Sequence, residues 1–172
     1  AVALGAETIL ISGPVNLPIP PGVQMMPAES AADMLKICTG EMPCDIAIFA
    51  AAVADWRVAN SAGEKIKKSG GNAPTLSMVE NPDILKSIAH EAPSKRPPLV
   101  VGFAAETENV IEHAKKKRKA KGCNWIVAND VSPETGIMGG DRNTVHLITS
   151  DGVDSWPEMD KDAVARALVA RI

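Results

Sequence analysis

Cysteine and histidine, the residues that most often build metal sites and nucleophile–base pairs, are scarce in this 172-residue sequence, with three of each. Cys38, Cys44 and Cys123 have neither metal-ligand spacing nor a pairing pattern. They read as reduced thiols of a cytoplasmic protein, not as a disulfide framework or a zinc site. His90, His113 and His146 are scattered, and no Ser/His/Asp order accompanies them. His113 stands beside Glu112 on a helical stretch and reads as a surface residue; Cys123 precedes an apolar run and reads as packed. No apolar run has membrane-spanning length, and the first residues lack a secretory-signal pattern. No G-x-G-x-x-G follows the first strand, where Gly13-Pro14 stands instead, and no G-x-x-x-x-G-K-[ST] occurs. Both absences argue against a dinucleotide dehydrogenase and a P-loop enzyme. A net charge of −3 gives no reason to expect nucleic acid as a partner.

What is present is an alternation of apolar runs and helical patterns in a chain sized for one domain. Ala1–Gly5 reads as the last turn of a helix closed by Gly5, so the chain is expected to be a fragment missing at least one βα unit at its amino end. Glu7–Ser12 and Val23–Met26 read as short strands around a stiff loop with four prolines at 13–22. Ser30 and Asp33 form a capping-box-like start to a helix that presents Met34, Leu35 and Cys38 on one face and ends near Gly40. A buried strand is expected over Asp45–Ala52, and a short one over Leu76–Val79. Asn81-Pro82-Asp83 reads as N-cap, N1 and first-turn acid of a helix ending near His90, with Ile84, Leu85 and Ile88 inward. Strand Leu99–Ala104, helix Glu108–Lys121 stopped by Gly122, and strand Asn124–Ala128 follow. The helix turns Val110, Ile111 and Ala114 inward. Thr144–Thr149 is a further strand, Asp151-Gly152 begins a loop or a hairpin, and a final helix Asp160–Ile172 carries Val164, Leu168 and Ile172 on one face. Alternating strands and helices predict a three-layer α/β/α, Rossmann-like and mostly parallel sheet.

In such sheets ligands sit beyond the carboxyl ends of the strands. Ala51–Asp55, Phe103–Thr107 and Asn129–Asp130 all fall there. Small residues such as Ala51 and Ala52 let a ligand approach the backbone. Asp55 suits a ribose hydroxyl or a magnesium ion. The lysines of "EKIKK", Lys65, Lys67 and Lys68, followed by Gly70-Gly71, read as a flap at about 58–75 that closes on an anion, or as a solvated charge run. The helix starting at Pro82 offers backbone N–H groups to an anion. Phe103 packs on a base or belongs to the core. Lys117 and Lys121, four apart on a cation-rich helix end, share a face and can reach one anionic group. Together these residues form a phosphate-handling set of the kind that phosphoryl and nucleotidyl transfer require.

Five stretches taken in order, "AAVADWR", "EKIKK", "ENPDIL", "VVGFAAET" and "ANDVS", resemble the phosphopantothenoylcysteine synthetase family, the carboxy-terminal half of the bifunctional coenzyme A biosynthesis flavoproteins. The resemblance implies a cytoplasmic, typically homodimeric ligase that joins 4′-phosphopantothenate to L-cysteine. In it the carboxylate attacks the α-phosphate of CTP, with Mg2+ accompanying the triphosphate. Pyrophosphate leaves, and the cysteine amine displaces CMP from the acyl-cytidylate. Carried over by residue, the resemblance implies nucleotide contacts at Ala51, Ala52, Asp55, Pro82, Asp83, Ile84, Leu85, Phe103, Lys117 and Lys121, with Lys65 both contacting CTP and acting on the intermediate. Trp56 stands where tyrosine or phenylalanine is also found. "VADWRV" and "TLSMV" are expected to supply strands to a shared dimer sheet. The family's amino-terminal "ISN-x-SSGKMG"-like stretch, whose asparagine recognises the acyl carboxylate, is not in the sequence, so the chain alone is expected to be inactive. FMN is expected only in the decarboxylase half. No metal ligand set is singled out.

Two other classes compete. One is a Rossmann-like oxidoreductase holding a flavin or nicotinamide, which a glycine fingerprint upstream would favour. The other is a non-catalytic nucleotide-binding or oligomerisation module, using the basic stretch Lys115–Lys121 for docking.

Overall fold

In the computed structural model, which describes residues 1–60, 75–132 and 142–172, the apolar runs become strands and the amphipathic stretches helices. A single 3-10 turn, Val2–Leu4, is closed by Gly5 in the left-handed region at φ 87°. Strand β1 (Ile9–Ser12) pairs in parallel with β2 (Gln24–Pro27), Ile9 opposite Gln24. Helix α1 (Ala31–Gly40) starts as its capping pattern predicts, the Ser30 hydroxyl accepting from the Asp33 amide at 3.1 Å. Then come β3 (Ile46–Phe49), β4 (Trp56–Val58), β5 (Met78–Glu80), α2 (Ile84–Ala89), β6 (Leu99–Glu106), α3 (Val110–Lys121) and β7 (Trp125–Asp130). The chain closes with β8 (Arg142–Asn143), β9 (Val145–Ile148), β10 (Val153–Ser155), β11 (Met159–Asp160) and α4 (Lys161–Arg171).

The main sheet has five strands in the order β10-β9-β7-β6-β3. Its β3, β6 and β7 are parallel, with Ile46 opposite Leu99 and Val101 opposite Trp125. Strands β9 and β10 continue it antiparallel, so Asp151-Gly152 does make a hairpin. Helices α2 and α3 cover one face, where Val100, Ala104, Ala114, Ile126 and Ala128 are buried. Helix α4 covers the other, burying Val164 and Leu168 against Val101, Val127, Val145 and Leu147. Helix α1 packs on α2 through Cys38, Ile84 and Ile88. Fully burying an aliphatic side chain contributes roughly 1.5–3 kcal/mol, so these layers carry most of the stability.

Gly102 sets how closely α2 can approach. A Cβ there would stand 2.6 Å from Leu85 Cδ2 and 2.9 Å from Ile126 Cδ1. Gly122 ends α3 at φ 70°, a conformation strained for any other residue, and a Cβ there would stand 2.6 Å from the His90 ring. Arg96 ties this end of the molecule together. Its guanidinium donates to the carbonyls of Ala89 and Pro97 and to Asn124 Oδ1, which also accepts from the Val100 amide.

Some expectations are corrected. The continuous apolar run Asp45–Ala52 predicts a strand buried on both faces, but the strand is shorter, and Ile46 and Ile48 are 42% and 44% exposed. They lie on the α4 side of an edge strand that α4 does not reach. The cap of α2 is Asp83, not Asn81. Helix α3 starts at Val110, after Asn109 held left-handed at φ 46°, and not at Glu108. Ile172 is 43% exposed, because α4 ends at Arg171.

Candidate functional site

The carboxyl end of β3 opens into exposed residues, among them Ala51, Ala52 and Asp55. This loop is tethered by Asn81. Its side-chain amide donates to the Ala54 carbonyl at 2.8 Å, and its backbone N–H donates to the Asp55 carbonyl at 2.7 Å. Arg57 donates to the Glu80 carbonyl and, at 3.4 Å, to Asn81 Oδ1. Asparagine therefore leaves the helix-cap position that its sequence context suggests. Its side-chain amide is spent on the loop and its Oδ1 on Arg57 of β4, and the cap falls to the next short acceptor, Asp83. The β4–β5 ribbon, with Arg57 opposite Val79, carries the chain away from the sheet and back to this point.

Asp83 does two jobs. One carboxylate oxygen accepts from the Lys86 amide at 3.0 Å as the N-cap of α2. The other bonds to Lys121 Nζ in the last turn of α3. Partial burial pushes the Asp83 carboxyl up, but the Lys121 ammonium and the Lys86 amide more than offset it and hold it below the usual carboxylate range. Pro82, Asp83, Ile84 and Leu85 thus sit directly between the β3 loop and α3. Ile84 is buried and Leu85 packs on Gly102.

On α3, His113, Lys117 and Lys121 are spaced four apart. They form one stripe, rising about 6 Å and drifting about 40° per step. Both ends of the stripe are held by carboxylates. His113 Nδ1 lies 3.5 Å from Glu106 Oε2 at the end of β6, and Lys121 meets Asp83. Lys117, in the middle and half-buried, has no ion-pair partner among the described residues. Next to Glu106 in register is Asp130. Its carboxylate accepts from the Ser132 amide, which holds the carboxyl below the usual carboxylate range.

The structure therefore joins the Ala54–Asp55 loop to Asn81 and the next helix start, Asp83, to Lys121; Ala51 and Ala52 are exposed in the same loop, and Lys117 lies one turn before Lys121 on α3. Phe103 is elsewhere: it packs with Val101, Val127 and the α4 cluster on the opposite face of the sheet. Lys65 and the rest of the flap at 61–74 lie outside the described residues. Sequence reasoning missed the tethering role of Asn81, and it missed Glu106, whose placement beside His113 depends on where β6 ends. Asn129 Oδ1, at the end of β7, and the buried Asn143 Oδ1 have no hydrogen-bond partner among the described residues. No group of three or more His, Cys, Asp or Glu among the described residues is placed to hold a metal ion. None of the described helices is long and apolar enough to cross a membrane.

Comparison with known proteins supplies the context. The family model for the DNA/pantothenate metabolism flavoprotein C-terminal domain matches residues 1–172. The chain is 42% identical over 175 residues to the coenzyme A biosynthesis bifunctional protein CoaBC of Escherichia coli K12, covering all of this chain but 43% of that protein. The CoaBC of Bacillus subtilis is 42% identical over 154 residues. The chain thus spans less than half the length of these relatives. The crystal structure of the C-terminal domain of CoaBC superposes with a TM-score of 0.76 at 35% identity, over 99% of this chain and 74% of that one. A Cab2 mutant in complex with phosphopantothenate-cysteine shares the fold, with a TM-score of 0.58 at 13% identity over 87% of this chain and 53% of that one.

Proposed function

Because the chain belongs to the DNA/pantothenate metabolism flavoprotein C-terminal domain family, we propose that it is the nucleotide-binding part of a phosphopantothenate–cysteine ligase acting in coenzyme A biosynthesis. The observation that carries this reading is the chain of contacts from Ala54 and Asp55 through Asn81 and Asp83 to Lys121. It fixes the β3 loop, the start of α2 and the cationic stripe of α3 against one another. A nucleoside triphosphate bound there meets small residues for close approach, an exposed carboxylate for the ribose and cations for its phosphates.

The substrates proposed are CTP, 4′-phosphopantothenate and L-cysteine. A free carboxylate is a poor electrophile. Attack of its oxygen on the α-phosphate, with departure of pyrophosphate, makes a mixed anhydride that the cysteine amine opens, releasing CMP. This chain's part is to hold the triphosphate in line and to offset charge as pyrophosphate leaves. Lys117 and Lys121 are assigned that role, and Lys65 is assigned the contact with the activated intermediate. Magnesium usually keeps its waters and rests on substrate phosphates, which suits a site whose described carboxylates do not gather into a cage. Asp55 would be the protein group facing such an ion, whose chemistry is to neutralise phosphate charge. FMN is assigned to the remainder of the full-length protein. The exposed ribbon of β4 and β5, with Trp56 55% and Met78 49% exposed, is assigned to a homodimer contact.

Calorimetric titration of the full-length protein with CTP and with ATP, each with magnesium, tests the reading. CTP is expected to bind more tightly than ATP. Equal or absent binding of both contradicts the assignment.

A further inference from the structure

We propose that a pocket between α3 and the β9–β10 hairpin is a second anion site, suited to the phosphate end of a small phosphate monoester. Its volume is about 190 Å3. Lys115, Arg118 and Lys119 line it from the helix, and Ile148, Thr149, Ser150 and Gly152 from the hairpin. The proposed ligase reaction makes no use of it.

The end of α3 is cationic on two flanks. Ala114, fully buried against the sheet, marks the inner line of the helix. At about 100° per residue, Lys117 and Lys121 fall on the flank towards α2, where Lys121 meets Asp83. Lys115, Arg118 and Lys119, spaced i, i+3 and i+4, share the flank towards β9. The helix dipole alone favours cations at this end, which accounts for the charges but not for the wall that faces them. Thr149 Oγ1 in that wall accepts from the Asp151 amide at 3.1 Å, so its own hydrogen is left to donate. Ile148, 1% exposed, adds apolar surface. An anion seated against it is partly withdrawn from water, where its attraction to the cations is stronger.

Two acids stand near these groups, and each is engaged. Glu112 pairs with Lys115 at 2.9 Å, both exposed, and Asp151 accepts from the Ser150 hydroxyl at 3.1 Å. Arg118 and Lys119 have no ion-pair partner among the described residues. Arg118 is half-buried, and its Nη1 donates to the Asn124 carbonyl at 3.3 Å. Asn124 is held in turn by Arg96, so this guanidinium is anchored before any ligand arrives. Two unpaired cations match a phosphate dianion better than a singly charged carboxylate, and a guanidinium suits phosphate oxygens in particular. The volume sets the size of the ligand. Sites that enclose a drug-sized molecule run to about 300–1,000 Å3, so this pocket takes a phosphate group and leaves the rest of the molecule outside.

The test is titration of the full-length protein with inorganic phosphate, and separately with acetate, in chloride buffer at constant ionic strength, with and without saturating magnesium–CTP. Wild type, Lys119→Gln, Thr149→Val and Thr149→Ser are measured, with Lys117→Ala as reference for the nucleotide site. Thermal unfolding reports whether each variant is folded. Wild type is expected to bind phosphate with CTP present, and to bind it more tightly than acetate. Lys119→Gln and Thr149→Val are each expected to weaken phosphate binding roughly three- to tenfold, the effect of one partly exposed charge-assisted contact. Thr149→Ser and Lys117→Ala are expected to keep it, and Lys119→Gln to keep its affinity for CTP. If CTP displaces the phosphate and Lys117→Ala loses it, the phosphate sits in the nucleotide site and the inference falls. It falls equally if acetate binds as tightly, or if Lys119→Gln and Thr149→Val bind phosphate as wild type does. If CTP fails to bind, the nucleotide reading falls, and the phosphate titrations still decide this inference.

Discussion

Lys121 Nζ bonds to the Asp83 carboxylate, joining the last turn of α3 to the N-cap of α2. The same carboxylate group caps α2, so one acid fixes both the start of a helix and the position of a lysine assigned to the nucleotide. The pair is partly exposed, its side chains 29% and 37% accessible, so water screens it and its own contribution to stability is small. Its importance is positional.

The Asp83→Ala variant is therefore expected to cost about 1 kcal/mol, the usual loss of an N-cap, and to weaken CTP binding by more than that loss explains. Urea unfolding gives the first quantity and titration the second. If affinity is unchanged, Lys121 does not need its carboxylate partner.

Acid sensitivity follows from the Asp83 carboxyl being held below the usual carboxylate range. A carboxylate held lower in the folded than in the unfolded chain stabilises the fold above its unfolded value, about 3.9, and that contribution is lost as pH falls through the folded value. Wild type is expected to lose part of its stability below about pH 4. Lys121→Met is expected to lose less over that window, because its carboxylate starts closer to normal. Parallel pH–stability curves for the two proteins would contradict this.

Gly102→Ala is expected to destabilise by about 1–3 kcal/mol, since its methyl group must displace packed Leu85 and Ile126 in a core without slack. Because Leu85 sits in the α2 segment assigned to the nucleotide, the variant should also bind CTP less tightly. Chemical denaturation measures the first effect. A neutral result would mean that α2 can move outward at little cost.

Asn81→Ala removes the side-chain bond to the Ala54 carbonyl. It should cost about 1 kcal/mol of stability, and it should weaken CTP binding several-fold by leaving the β3 loop to be ordered on binding. Titration decides; an unaltered affinity would show that the loop does not need its tether.

Much of this arrangement is legible in the sequence, and the reasons are physical. The order of strands and helices follows from apolar period and from end signals such as Ser30 with Asp33 and the Gly122 stop. Side-chain competition is not legible in this way. Asn81 and Asp83 are both good caps, and only the fold reveals that Asn81 is taken by the β3 loop. The sides of the sheet are equally hidden. Phe103 looks like a neighbour of the lysines because all of them cluster near strand ends. Strand alternation instead turns its ring to α4, while Gly102 and Ala104 face α2 and α3. The pairing of Glu106 with His113 depends on β6 running two residues past Ala104, which apolar content does not signal. The bare Ile46 and Ile48 reflect β3 being an edge strand, a property of sheet order and not of the run itself.

The central claim is that the α3 stripe is a nucleotide phosphate site, and Lys117 tests it most directly, because it is the stripe's cation without an ion-pair partner among the described residues. Titration of magnesium–CTP into full-length wild type and Lys117→Ala should give a loss of affinity of about tenfold or more in the variant, the value of one charge-assisted contact, with an unaltered unfolding midpoint. Equal affinities in the two proteins would contradict the account.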